Sequence, residues 1–317
     1  MMMMRADLHV HTLHSIRSGN MRFLRSRDCY SRPIDVYRRA RARGMDLVAV
    51  TDHDSIDGAL ELAASVEHPD TVIIGEEVSC WYRGIQVHLG VYGMTEALHR
   101  DVQPVRGNAS DVIACLRSAG VLFSLNHLLH FYRGQAPLAD YLRLVEEVPA
   151  LEARNGAMLP VHNLLIEAMV SRRAAGGESR LSAIGGSDAH TLRRVGRTWT
   201  EAPGRNREEF LDSLARGLGR PGGDHGTAST VAGDAYGVIG SYMASLAGIG
   251  PRDHAGWHRA GCVAFSAVSL PFQFVPMALA LAGKRAEADV VRTVTAELNA
   301  GGARAPRRPA QVEEAPL

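Results

Sequence analysis

The chain has 317 residues, 46% hydrophobic and 22% charged, a balance that supports a large buried core and excludes disorder along the whole length. Lys and Arg total 35 against 34 Asp and Glu, a net charge of +1, so no global field recruits long nucleic acid or an anionic membrane. Lys284 is the single lysine, which excludes a P-loop or Schiff-base lysine in the main body.

Cys29, Cys80, Cys115 and Cys262 form no CxxC pair, and neither a disulfide framework nor a thiolate zinc site is expected. The four leading methionines followed by Arg5 and Asp7 read as start-site ambiguity rather than a secretion signal, so a cytoplasmic location is expected.

Short apolar runs alternate with amphipathic stretches, the pattern of βα units. Seven strands are predicted at 6–11, 47–51, 72–78, 86–92, 121–126, 150–154 and 182–185. Helices are predicted at 33–43, with a proline in the first turn, at 110–119, with Ser110 as cap and Gly120 as stop, and at 208–217. The Gly-rich stretch 219–226 reads as a linker that closes a main domain of residues 1–220. A helical, partly apolar extension follows over 221–300, then a Pro, Ala, Arg and Glu-rich tail at 301–317 that is expected to be disordered. Residues 262–282 are long enough to span a bilayer, but Pro271, Pro276 and Gln273 argue for a broken helix packed on the barrel or a partner. Membrane association is therefore not the expected reading.

The metal-competent residues fall at the ends of these strands. Asp7, His9 and His11 close the first, and the i, i+2 spacing puts both imidazoles on one face, able to grip one ion. The second ends in Thr51-Asp52-His53-Asp54, the third carries Gly75-Glu76-Glu77-Val78-Ser79, and the fourth carries His88. The fifth ends in Asn126-His127, with His130 close behind, and the seventh in Gly186-Ser187-Asp188-Ala189-His190. Any one of these has an ordinary structural reading. Their conjunction at one rim of a barrel does not, because crowded buried imidazoles and carboxylates cost several kcal/mol unless cations hold them. A multinuclear metal site is the expectation.

Asp7-Leu8-His9-Val10-His11-Thr12, Thr51-Asp52-His53-Asp54, Gly75-Glu76-Glu77-Val78-Ser79, His88, His127 and Gly186-Ser187-Asp188-Ala189-His190 together resemble the PHP (polymerase and histidinol phosphatase) family of metal-dependent phosphoesterases, over about residues 5–200. The resemblance implies an α/β fold, a distorted, TIM-like (β/α)7 barrel. It also implies two or three divalent ions, manganese, zinc or iron. His9, His11, Glu77 and Asp188 would hold one ion, and a bridging Glu77 with His88 and His127 a second. A third would use His53, His190 and an acidic or imidazole residue soon after the HxH pair. There the chain departs from the pattern, carrying Ile16 and Arg17, with His14 two residues early and Asp28 farther on.

Two ions ~4 Å apart suit hydrolysis of a phosphate ester, because they lower the pKa of a bridging water toward about 7. On this reading Glu77, Asp188, His190 and His53 are the candidate catalytic residues, while Arg17, Arg22 and His130 are candidates for phosphate contact. The expected substrate is a small phosphomonoester or nucleotide-like phosphate. The alternatives are a phosphodiesterase or exonuclease, an amidohydrolase-like C–N or ester hydrolase, and a non-catalytic metal-dependent scaffold.

Overall fold

The structure, a computed structural model, describes residues 2–15, 24–130, 137–175, 181–251 and 253–302. All seven predicted strands are present: β1 Met3–Asp7, β2 Leu47–Val50, β3 Val72–Tyr82, β4 Ile85–Tyr92, β5 Leu122–Leu125, β6 Ala150–Asn155 and β7 Ser182–Gly186. Two more follow, β8 Thr198–Pro203 and β9 Arg220–Gly223. Between and after them run α1 Pro33–Ala42, α2 Asp57–Ser65, α3 Glu96–Val102, α4 Ala109–Ser118, α5 Leu138–Glu146, α6 Pro160–Ala175, α7 Arg207–Ala215, α8 Ala228–Leu246, α9 Gly256–Ser269 and α10 Val275–Gly302.

The strands form one sheet in the order β7-β6-β5-β4-β3-β2-β1-β8-β9, which curls into a nearly closed barrel. An isolated parallel bridge between Val10 and Ala189 joins the segments that follow β1 and β7 at the top. Lower down, the Thr200 hydroxyl of β8 donates to the carbonyl of Gly185 in β7 (2.8 Å) and accepts from its N–H (2.7 Å), so a side chain takes the place of a backbone ladder. The interior is filled by small and branched residues from eight strands, among them Ala6, Ala49, Ile73, Tyr92, Ala150 and Ile184, and Phe210 and Leu214 of α7 pack against them. Each large side chain fully buried there contributes about 1.5–3 kcal/mol.

The sheet departs from a simple parallel barrel at two places: β8 runs antiparallel to β1 and β9 to β8, and the other departure lies at β3 to β5. β3 and β4 are an antiparallel hairpin, with β4 also antiparallel to β5. Arg83 and Gly84 at its tip both have positive φ, 50° and 82°, the two-residue turn that matches strand twist. Glu77 consequently lies in the middle of β3, not at its end, and His88 comes from a strand running the opposite way. Likewise β1 stops at Asp7, and His9 and His11 extend beyond it. Stretch 219–226, expected as a linker, contributes β9, paired with β8. Asn108, not Ser110, caps α4.

The extension is helical and tied to the barrel by Val291 and Val294 of α10, buried in the main hydrophobic core, and by polar contacts. Thr191 donates to Asp234 of α8 (2.7 Å), Arg27 forms a two-pronged pair with Asp253 (2.6 Å each), and Lys284 of α10 donates to the Ala157 carbonyl (2.5 Å). The apolar run 262–282 is broken as expected, since α9 with its following turn and α10 meet at a 64° bend. It is not buried against the barrel. Val263, Phe265, Val268, Leu270, Phe272, Phe274, Leu279 and Leu281 are exposed. No single helix among the described residues is long and apolar enough to cross a membrane; only this bent pair, taken together, has the length and hydropathy. The tail expected to be disordered lies almost wholly outside the described residues.

Candidate metal centre

The first strand delivers its residues through a carboxylate that is itself buried. Asp7 accepts backbone N–H groups from Ser187 (2.8 Å), Gly196 (2.6 Å) and His9 (3.3 Å), which ties the end of β1 to the loops after β7. Gly186 permits that closeness, since a Cβ there would fall 2.3 Å from the His9 Cβ. Asp52 does the same on the other side, accepting from the Thr12 hydroxyl (2.6 Å) and Ser15. Three rim residues, Asp54, His127 and Asp188, have positive φ, at 51°, 27° and 50°.

Glu77, fully buried, is the hub. Its Oε1 faces His127 Nε2 at 3.0 Å and His88 Nδ1 at 3.3 Å, while its Oε2 faces His53 Nδ1 at 3.0 Å, His9 Nε2 at 3.2 Å and His11 Nε2 at 3.5 Å. One carboxylate thus addresses two sets of imidazoles. Asp188 Oδ1 stands 3.6 Å from His9 and 3.5 Å from His11. Each imidazole is aimed from behind: His9 Nδ1 pairs with Glu152 (2.8 Å) and His11 Nδ1 with the Ser15 hydroxyl (3.0 Å), leaving both Nε2 atoms pointing inward.

The donor set fits divalent cations. Glu77 Oε2 has no hydrogen bond although three imidazole nitrogens lie within 3.5 Å of it, an arrangement in which lone pairs converge on a common centre. The titration behaviour agrees. Burial raises the carboxylates and lowers the imidazoles, but mutual attraction overrides it: Glu77 and Asp188 are held well below the usual carboxylate range, and His9 well above the usual imidazole value by Glu77, Asp188 and Glu152. His11 is pushed down to about 3 by burial and by the neighbouring His190 and His53, so it is neutral and ready to donate a lone pair. Protons at this rim stand where cations would neutralise the same carboxylates.

A third cluster completes the rim. Asp28, in the loop before α1, brings Oδ2 to 3.2 Å from His190 Nε2 and 3.4 Å from His53 Nε2; with His11 these form a group able to hold an ion. His14 does not join it, being paired with Glu61 of α2 at 2.7 Å. Burial lowers His190, but Asp28 and Asp188 outweigh it and raise it to about 10. His130 is exposed, its ring 5.3 Å from that of His127. Ile16, Arg17 and Arg22 lie outside the described residues.

Sequence reasoning passed over Glu152. β6 was the strand from which no site residue was expected, yet Glu152 holds His9 and also accepts from the His127 N–H (2.9 Å) and Asn155 (2.9 Å). A carboxylate inside Ala-Leu-Glu-Ala was the available signal, because an acid in a buried strand needs partners. Asn126, which donates to Glu77 Oε1 at 3.0 Å, was noted only as the neighbour of His127. Trp81 is exposed on the β3–β4 hairpin, and Tyr82 is buried.

Beside His190 a cavity of about 650 Å³ opens between the barrel and the extension, lined by Tyr30, Arg32 and Thr191 on one side and Gly237 and Ser241 of α8 on the other.

Comparison with known proteins agrees with this architecture. A family model described as PHP-associated matches residues 172–218. An uncharacterized protein of Methanocaldococcus jannaschii is 36% identical over 76 residues, 24% of this chain and 44% of that protein, so the chain spans under half of that relative's length. Among solved structures, similarity extends to a two-domain protein from Bacteroides vulgatus containing a predicted PHP-like metal-dependent phosphoesterase. The TM-score is 0.53 with 13% identity, over 70% of this chain and 65% of that one, just under two thirds of its length. PsfC from Pseudomonas syringae has a TM-score of 0.51 with 17% identity, over 77% of this chain and 99% of that one. At such identities these two likenesses concern the fold.

Proposed function

We propose that this chain, which is similar to PHP-like proteins in fold and over residues 172–218, is a metal-dependent phosphoesterase acting on a small phosphomonoester or nucleotide-like phosphate. The observation that carries this reading is Glu77, whose two oxygens face two separate sets of imidazoles. On this reading His9, His11, Glu77 and Asp188 hold one divalent ion, Glu77, His88 and His127 a second, and Asp28, His53 and His190 a third, so that Asp28 takes the place left by Ile16 and Arg17. When bound, such ions supply Lewis acidity that activates water and neutralises charge on the attacked phosphoryl oxygens. Imidazole-rich sites favour manganese, zinc or iron over magnesium.

The protein's own residues position and shield. Glu152 and Ser15 fix the ring orientation of His9 and His11, and Asn126 and Asn155 donate to the rim carboxylates Glu77 and Asp188. The cavity beside His190 has room for a metabolite rather than for a polymer, and Arg32 on its wall offers a guanidinium toward an anion, although Asp35 engages it at 2.7 Å. A cytoplasmic setting and the absence of a long nucleic-acid partner are part of the same proposal.

A phosphate-release screen across a metabolite panel, with Mn²⁺ or Zn²⁺ returned to stripped protein, tests it. Metal-dependent release of phosphate from small monoesters is expected. Turnover confined to amides, carboxylic esters or phosphodiesters overturns the proposed substrate class, and full metal loading without any turnover moves the reading to a scaffold.

A further inference from the structure

Away from the rim, three side chains suited to soft cations meet where the extension turns from α8 into α9. His258 and Cys262 are one turn apart on α9, and His254 reaches them from the preceding loop, across Gly256 with its φ of 51°. Spacing by four places side chains on one helix face. His254 Nδ1 and His258 Nδ1 are 3.4 Å apart, and Cys262 Sγ is 3.9 Å from either nitrogen of His258. One donor atom from each residue lies within 4.8 Å of the others.

These separations have a meaning in coordination geometry. Zinc bonds of about 2.05 Å to nitrogen and about 2.3 Å to sulfur, arranged tetrahedrally, set neighbouring nitrogens about 3.3 Å apart and nitrogen and sulfur about 3.6 Å apart. The two edges that meet at His258 fall within a few tenths of an ångström of these values. A second observation marks the place: Tyr242, on α8, is buried in the same small apolar cluster as Cys262, its hydroxyl has no hydrogen-bond partner among the described residues, and its ring stands edge-on to His254 at 5.6 Å. A buried hydroxyl on a ring that meets His254 and shares a cluster with Cys262 is a candidate for a fourth position, directly or through a water.

We propose that His254, His258 and Cys262 bind a thiolate-accepting divalent cation, zinc foremost, in a structural site separate from the barrel rim. The sequence lacks a CxxC pair, and this site needs none because one thiolate acts with two imidazoles. Its place explains what it does. Asp253, next to His254, grips Arg27 with both oxygens and is followed in space by Asp28, which reaches His53 and His190. A cation here pins the strut that carries a rim carboxylate, and so couples the extension to the barrel site without touching it.

Cobalt titration of the stripped full-length protein tests the proposal, since the rim clusters found among the described residues contain no cysteine and a sulfur-to-cobalt charge-transfer absorption reports this site alone. The absorption is expected to saturate at the intensity of one thiolate-bound cobalt per chain, to persist in Glu77→Gln and to vanish in Cys262→Ser. His258→Ala keeps the thiol and should weaken cobalt binding at this band by at least about tenfold, which decides the matter if Cys262→Ser fails to fold. No charge-transfer band in the wild type, a band surviving Cys262→Ser, or unchanged affinity in His258→Ala overturns the site.

Discussion

The barrel rim and the outer part of the extension break the rule of apolar inside and polar outside from opposite directions. At the rim, Glu77, Glu152, His9 and His11 are buried; on α9 and α10, Trp257 is 87% exposed and Val268 73%. The rim tolerates burial because every carboxylate there has imidazoles or N–H groups around it, and the order of those partners is itself the function. On the outer face of α9 and α10 the apolar side chains are exposed, while the extension is fastened to the barrel by Val291 and Val294 in the main core and by polar contacts of Asp234, Asp253, Lys284 and Glu287. Burial alone therefore says little about importance; what matters is whether the partners of a group are specified.

The sharpest way to break this contrast is to remove a specified partner. Glu77→Gln and Asp188→Asn should each lower turnover by at least about a thousandfold with an unchanged circular dichroism spectrum, because each takes a charge from the water-activating set. Wild-type rates in either variant would end the proposed arrangement. One step back, Glu152→Gln should weaken metal affinity by about 10–100-fold while a saturating metal concentration restores most of the rate; titration of metal against activity reads this directly.

A subtler difference concerns pH. With His190 raised to about 10 from its usual 6.5 by Asp28 and Asp188, the metal-free protein draws stability from the protonated ring below pH 6.5 and loses it as the pH climbs through 10. A cation held by Asp28, His53 and His190 must displace that proton, so its affinity should rise about tenfold per pH unit across this window. Calorimetric titrations at pH 7 and 9 check the sign, and a pH-independent affinity would show that His190 is not a ligand. Least of all should happen on the extension, where Phe272→Ser and Phe274→Ser are expected to leave turnover unchanged and stability within about 0.5 kcal/mol, as activity assays and thermal melts of the two variants check.

Much of this was legible beforehand because the strands are continuous apolar runs with a polar residue placed where the run ends. The departures have physical reasons. β8 reads Thr-Trp-Thr-Glu-Ala-Pro, and two of its three inward positions are threonines whose hydroxyls find partners in Asp224 and Gly185. β9 is Arg-Pro-Gly-Gly, which has the composition of a turn and becomes a strand through its pairing with β8. The direction of β4 depended on recognising Arg83-Gly84 as a two-residue turn, and ending β3 at residue 78 hid it. Asp28 was named as a possible substitute ligand, but only folding of the loop before α1 decides between it and His14.

One local detail reaches beyond catalysis. His127 and Asp188 hold φ values of 27° and 50°, a region that charges a residue with a Cβ about 1–3 kcal/mol and that glycine or asparagine enters with greater ease. The chain therefore carries its ligands at positions where its own backbone would prefer other residues. Glycine at 127 or 188 would relieve that backbone cost but remove the side chain that faces Glu77 or His9, so backbone ease and rim geometry pull on these two positions in opposite senses.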